Sequence, residues 1–125
     1  MDYNLPRGES TMETNIKLRK GQLLMEEGDE SKEMYVLRSG VLKVFKKMPN
    51  HSENYAIRLI KPNEIIGELA FLDGKPRSAS IVAVVDSEVS RLDYTVFRQM
   101  VDKQPSWIKL VLTSMAGKVR DLSEL

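Results

Sequence analysis

Apolar residues along this chain follow two patterns. Up to Leu92 they come in short runs, several of them alternating with polar positions; beyond Leu92 they recur at steps of three and four. A period of two predicts strands and a period near 3.6 predicts helices. The strand-like runs are Gly21–Met25, Met34–Arg38, Val41–Lys46, Tyr55–Ile60, Ile65–Ile66, Ala79–Val85 and Glu88–Leu92. Turn residues separate them: Gly28-Asp29, Ser39-Gly40, Pro62-Asn63 and Asp86-Ser87. The two-residue Ser39-Gly40 link predicts a hairpin between the runs on either side. Within Val41–Lys46, Leu42 and Val44 share one face, with Lys43 and Phe45 on the other. Ile57 and Leu59 share a face opposite Arg58. Residues 1–15 carry Pro6 and Gly8 and no apolar period, which predicts a flexible terminus with at most a short helix around Thr11–Leu18.

Asp93 is placed to cap a helix beginning at Tyr94, where Val96, Phe97, Met100 and Val101 have helical spacing. Pro105 and Ser106 interrupt it. Ile108, Val111, Leu112, Met115, Val119 and Leu122 then form a stripe, predicting a long amphipathic helix to the end. Seven or so short strands followed by helices predict a sandwich or barrel with flanking helices. The division is a terminus over 1–15 and one domain over 16–125, with strands over about 20–92 and helices over about 93–125.

Composition removes several classes. A length of 125 residues fits a single domain, and 19 basic against 18 acidic side chains give no broad nucleic-acid-binding face. The absence of cysteine excludes disulfides, thiolate metal sites and a cysteine nucleophile. His51 is the only histidine and sits in a polar loop, so neither a metal site nor a nucleophile–base pair is expected. The sequence has no membrane-length apolar run and no signal-peptide core, which predicts a cytoplasmic, non-membrane protein; without a nucleophile–base–acid set, no catalytic residues are expected. Lys43, Lys46 and Lys47 read as charges guarding an edge strand.

Residues 67–80, GELAFLDGKPRSAS, carry the candidate chemistry. Gly67 allows close backbone approach. Glu68 offers two acceptor oxygens suited to sugar hydroxyls. Leu69, Ala70, Phe71 and Leu72 can form one helical turn whose free N–H groups favour an anion. Asp73-Gly74-Lys75-Pro76 turns the chain back, and Arg77 presents a donor fork matched to phosphate, beside the Ser78 hydroxyl. Such a loop suits a ligand with one phosphate and a free sugar hydroxyl.

The order Gly-Glu-Leu-Ala, a turn, then Pro-Arg-Ser-Ala resembles the phosphate-binding cassette of cyclic-nucleotide-binding domains, as in catabolite-activator-like regulators and regulatory subunits of protein kinase A. The resemblance spans about residues 18–104 and includes Gly28-Asp29, Tyr35 and Gly40. It departs at Asn63, where the family usually has glycine; asparagine is one of the few other residues that tolerates a left-handed turn. The resemblance implies a mainly β fold: an antiparallel, jelly-roll-like β-roll with a helical cassette turn and a long C-terminal helix. It implies that Glu68 holds the ribose 2′-hydroxyl and Arg77 the cyclic phosphate, assisted by Gly67, Ser78 and the N–H groups of Ala70 and Ala79. Ile57, Leu69 and Val82 would wall the nucleotide, and Lys118, Leu122 and Ser123 fall near the region that contacts the base. The expected function is a sensor for cAMP, less readily cGMP, with no cofactor; Ser78 is the bacterial-type serine that occurs with cAMP. The last helix would carry the signal to an effector or pair with a second copy. No direct DNA binding is expected. The alternative is a ligand-free β-roll serving protein interaction or dimerisation.

Overall fold

A computed structural model describes residues 13–47 and 54–123. The chain forms two four-stranded antiparallel sheets. One has strand β1 (Glu13–Leu18) beside β8 (Ser87–Leu92), then β3 (Met34–Ser39) and β6 (Ile65–Ile66). The other has β2 (Leu23–Met25) beside β7 (Ser80–Ala83), then β4 (Leu42–Lys47) and β5 (Asn54–Ile60). Helix α1 (Glu68–Asp73) lies between β6 and β7 in the chain; α2 (Tyr94–Asp102) and α3 (Ser106–Ser123) follow β8. Inward-facing residues of both sheets meet in one core, in which Leu37, Leu42, Ile60 and Val89 are buried. Phe71 of α1 joins the helices with edge-to-face contacts to Tyr94 and Phe97, ring centroids 5.2 and 5.1 Å away.

Four sequence expectations do not hold. The stretch expected as a short helix over 11–18 is strand from Glu13 onward, with Ile16 opposite Val89 and Leu18 opposite Ser87. Alternation explains it: Leu18 is buried and Ile16 partly so, while Lys17 between them is exposed. Residues 13–15 therefore belong to a sheet, and 1–12 lie outside the described residues.

The Ser39-Gly40 link does not close a hairpin. β3 pairs with β6 and β8, whereas β4 pairs with β5 and β7, so the chain changes sheets at Gly40. Gly40 has φ 94°, and a Cβ there would lie 2.1 Å from Ser87 Oγ and 2.8 Å from the Asp86 carbonyl. Glycine is required by both conformation and space.

β4 is an interior strand, so its lysines do not guard an edge. Lys43 instead places its ammonium 5.9 Å from the Phe45 ring centroid. The run Ala79–Val85 is strand only over Ser80–Ala83, and Val84 and Val85 are exposed.

Other expectations hold. Asn63 takes the left-handed conformation, φ 75°. Asp93 caps α2, its Oδ1 accepting from Val96 N at 2.9 Å. The polar loop with His51 lies outside the described residues. The stripe on α3 divides into two rows. Ile108, Leu112, Ala116 and Arg120, at steps of four, face the body of the protein to varying degrees; Val111, Met115 and Leu122 are exposed.

Candidate functional site

Strand β6 delivers the chain to the site. Its pairing with Tyr35 and Val36 sets the position of Gly67, which precedes α1 with φ 87°. A Cβ at Gly67 would sit 2.6 Å from Arg77 Nη1 and 2.8 Å from the Glu33 carbonyl. The left-handed start turns α1 so that Glu68, Leu69 and Ala70 line one cavity, while Phe71 turns into the protein. Gly74, φ 70°, ends the helix by donating its N–H to Ala70 O.

Arg77 is fixed at its backbone and at its side chain. Its N–H donates to Asp29 O at 2.8 Å, and its carbonyl accepts from Gly28 N at 2.9 Å. Its Nε donates to Ser31 Oγ at 3.3 Å, Nη1 to Gly67 O at 3.1 Å and Nη2 to Glu33 O at 2.6 Å. Only 4% of the residue is exposed. Burial lowers its pKa, and the neighbouring Tyr35 phenol and the carboxylates of Glu33, Asp29 and Glu68 offset part of that effect. A guanidinium starts so high that it remains charged at neutral pH. Five N–H donors less the three engaged leave two for another partner. No carboxylate among the described residues forms an ion pair with it.

The cavity, about 230 Å³, is shared by Glu68 and Arg77. Gly67, Leu69, Ala70, Ser78, Ala79 and Ile57 line it as well, so most of the residues expected from the sequence converge. Val82 does not line it. Strand alternation turns Ile81 and Ala83 inward, and Ile81 forms the wall that Val82 was expected to form. Lys118 and Leu122 are likewise displaced: both are exposed, and α3 reaches the cavity through Val119 and Arg120. The helix register accounts for this, because Arg120 continues the inward row of Leu112 and Ala116. Ser123 ends α3, and its side chain lies outside the described residues.

Sequence reasoning also missed Met25, Val44, Lys46 and Arg58 on the strand walls. Val44 and Arg58 are partners in the β4–β5 register, but that pairing passes through a bulge that the residue pattern does not announce.

The family model for the cyclic nucleotide-binding domain matches residues 15–104. The chain belongs to that family. Over 86 residues the domain is 36% identical to a cAMP-dependent protein kinase regulatory subunit of Aspergillus fumigatus, covering 69% of this chain and 20% of that protein. Over 104 residues it is 31% identical to the lysophospholipase NTE1 of Cryptococcus neoformans, covering 83% of this chain and 6% of that protein. The domain thus spans a fifth or less of the length of these two relatives. Its fold is similar to the cAMP-bound form of the EAL enzyme Bd1971, with a TM-score of 0.79 at 21% identity, covering 86% of this chain and 28% of that one. The two antiparallel sheets and flanking helices are the jelly-roll of the cyclic nucleotide-binding domain. Among the described residues no helix is long and apolar enough to cross a membrane.

Proposed function

We propose that this domain is a non-catalytic sensor for a purine 3′,5′-cyclic monophosphate, cAMP in preference to cGMP. The observation that carries the reading is Arg77: a buried cation with two unengaged donors, on the same cavity as Glu68. A buried charge without a carboxylate in direct contact is costly, and a bound phosphate would supply that contact. Glu68 would accept from the ribose 2′-hydroxyl, the free hydroxyl that remains when phosphate closes on the other two positions. Ser78 would add a donor to the phosphate, and Ile57, Leu69 and Ile81 would give the sugar and base apolar walls. The structurally similar enzyme is seen with cAMP and with cGMP, so the choice of cAMP is supported instead by the 36% identical cAMP-dependent kinase regulatory subunit.

Occupancy would be passed on through α2 and α3. A ligand shifts an equilibrium only through contacts that differ between two arrangements, and Val119 and Arg120 on the cavity wall provide such contacts. The short span of this chain within its relatives supports a downstream effector domain in the working protein.

The test is calorimetry with cAMP and with cGMP. A hydrogen bond to a charged group contributes about 1.5–3 kcal/mol, so Arg77→Ala should weaken binding at least about tenfold. Equal affinity in the variant and the wild type would remove Arg77 from the site and the proposal with it. A second reading, self-association through α3, rests on Trp107, Leu110, Met115 and Leu122, each at least 59% exposed. Sedimentation at several concentrations decides it: a constant monomer mass rejects the dimer.

A further inference from the structure

The C-terminal half of α3 has little apolar grip on the rest of the molecule. Val119 and Leu122 are 50% and 70% exposed, and Ala116 contributes one small buried side chain. The large buried group there is Arg120, 5% exposed. Its Nε and Nη2 donate to the two carboxylate oxygens of Asp73 at 2.6 and 3.0 Å, and its Nη1 donates to Pro76 O at 3.2 Å.

These contacts hold the cassette on both sides of its turn. Asp73 ends α1, the helix that begins with Glu68. Pro76 directly precedes Arg77. One guanidinium from α3 therefore joins the segment carrying the carboxylate to the segment carrying the phosphate ligand, and lines their shared cavity. A two-pronged arginine–carboxylate pair fixes angle as well as distance. A displacement of residues 73–76 is transmitted to the helix instead of being absorbed by sliding apolar contacts.

We infer that Arg120 is a positioning residue that couples the cassette to α3, so that the helix follows any movement a ligand on Glu68 and Arg77 imposes on residues 73–76. The ligand part of this inference rests on the cyclic-nucleotide reading; the joint itself does not.

Amide hydrogen exchange on the whole chain tests both parts, with and without saturating cAMP. The proteins are wild type, Arg120→Gln, Arg120→Lys and the double exchange Asp73→Arg with Arg120→Asp. Without nucleotide, Arg120→Gln should speed exchange in residues 108–123 at least about tenfold and leave β3 and β8 unchanged. Arg120→Lys should fall between, and the double exchange should return toward wild type. With cAMP, wild type should slow exchange in both residues 67–79 and residues 108–123. Arg120→Gln should slow it in the cassette alone.

Wild-type exchange in α3 of nucleotide-free Arg120→Gln overturns the inference. So does an unchanged cAMP-induced slowing of α3 in that variant, which is what a merely structural arginine would leave. Should Arg120→Gln fail to fold, Arg120→Lys carries the same comparison. If cAMP protects neither segment of the wild type, the nucleotide reading falls and the nucleotide-free comparison decides the joint by itself.

Discussion

Gly67 is the residue on which the site has least freedom. Its φ of 87° and the mere 2.6 Å that a Cβ there would leave to Arg77 Nη1 act together. Alanine there must either relax the turn or move the guanidinium. Left-handed backbone costs a non-glycine residue about 1–2 kcal/mol, and the contact adds to that. Gly67→Ala should lower the melting temperature by several degrees, since 1 kcal/mol corresponds to about 2–8 °C for domains between roughly 60 and 250 residues. It should also abolish measurable cAMP binding in calorimetry; retained binding would mean that Arg77 acts from another position. Glu68, Arg77 and Asn63 were readable in the sequence because each is tied to local chemistry: acceptor, donor fork, or tolerance of positive φ. Val82 was not, because a wall position depends on which face of β7 turns inward, and one step of register changes the answer to Ile81.

The helices show the same division at the scale of elements. The start of α2 follows from Asp93 alone, and Asp93→Ala should cost about 1 kcal/mol by thermal melting while leaving nucleotide affinity nearly unchanged. The seat of α3 could not be read this way, since its partner Asp73 lies 47 positions away. Burial pushes the Asp73 carboxyl up, but hydrogen bonds from Arg120 and from Lys75 N, with the charges of both residues, outweigh it and hold the group below the ordinary 3.8. A carboxyl depressed by folding stabilises the protein fully above its unfolded pKa and loses that contribution as pH falls through the folded value. Removing one partner of a buried pair costs about 3–5 kcal/mol. Denaturant melts of wild type and Asp73→Asn should therefore differ most near pH 7 and converge only as pH falls through the depressed folded pKa of Asp73, below the ordinary 3.8. A gap that persists at acid pH would show that the carboxylate charge is not what holds α3. The missed sheet crossing at Gly40 has a similar origin. A Ser-Gly turn is a local signal, whereas the strands it joins take their partners from distant parts of the chain.

For the molecule as a whole, the expected observable is a ligand-dependent melting temperature. At about 100 times its dissociation constant a nucleotide should add about 2.7 kcal/mol to the stability of the fold, and no shift with any cyclic mononucleotide would favour the interaction module. The overall architecture was readable because short alternating runs with turns between them leave few alternatives. The first strand escaped notice because only Ile16 and Leu18 mark its inner face. β1 covers the outer side of β8 along its whole length, and Glu13 is the carboxylate partner of the buried Arg38. A fragment trimmed to the matched span, residues 15–104, would lose that acid and the opening residues of β1, and with α3 the Val119–Arg120 wall of the cavity. Such a fragment would carry the whole recognition motif and still be a poor receptor, prone to stacking strand to strand in solution.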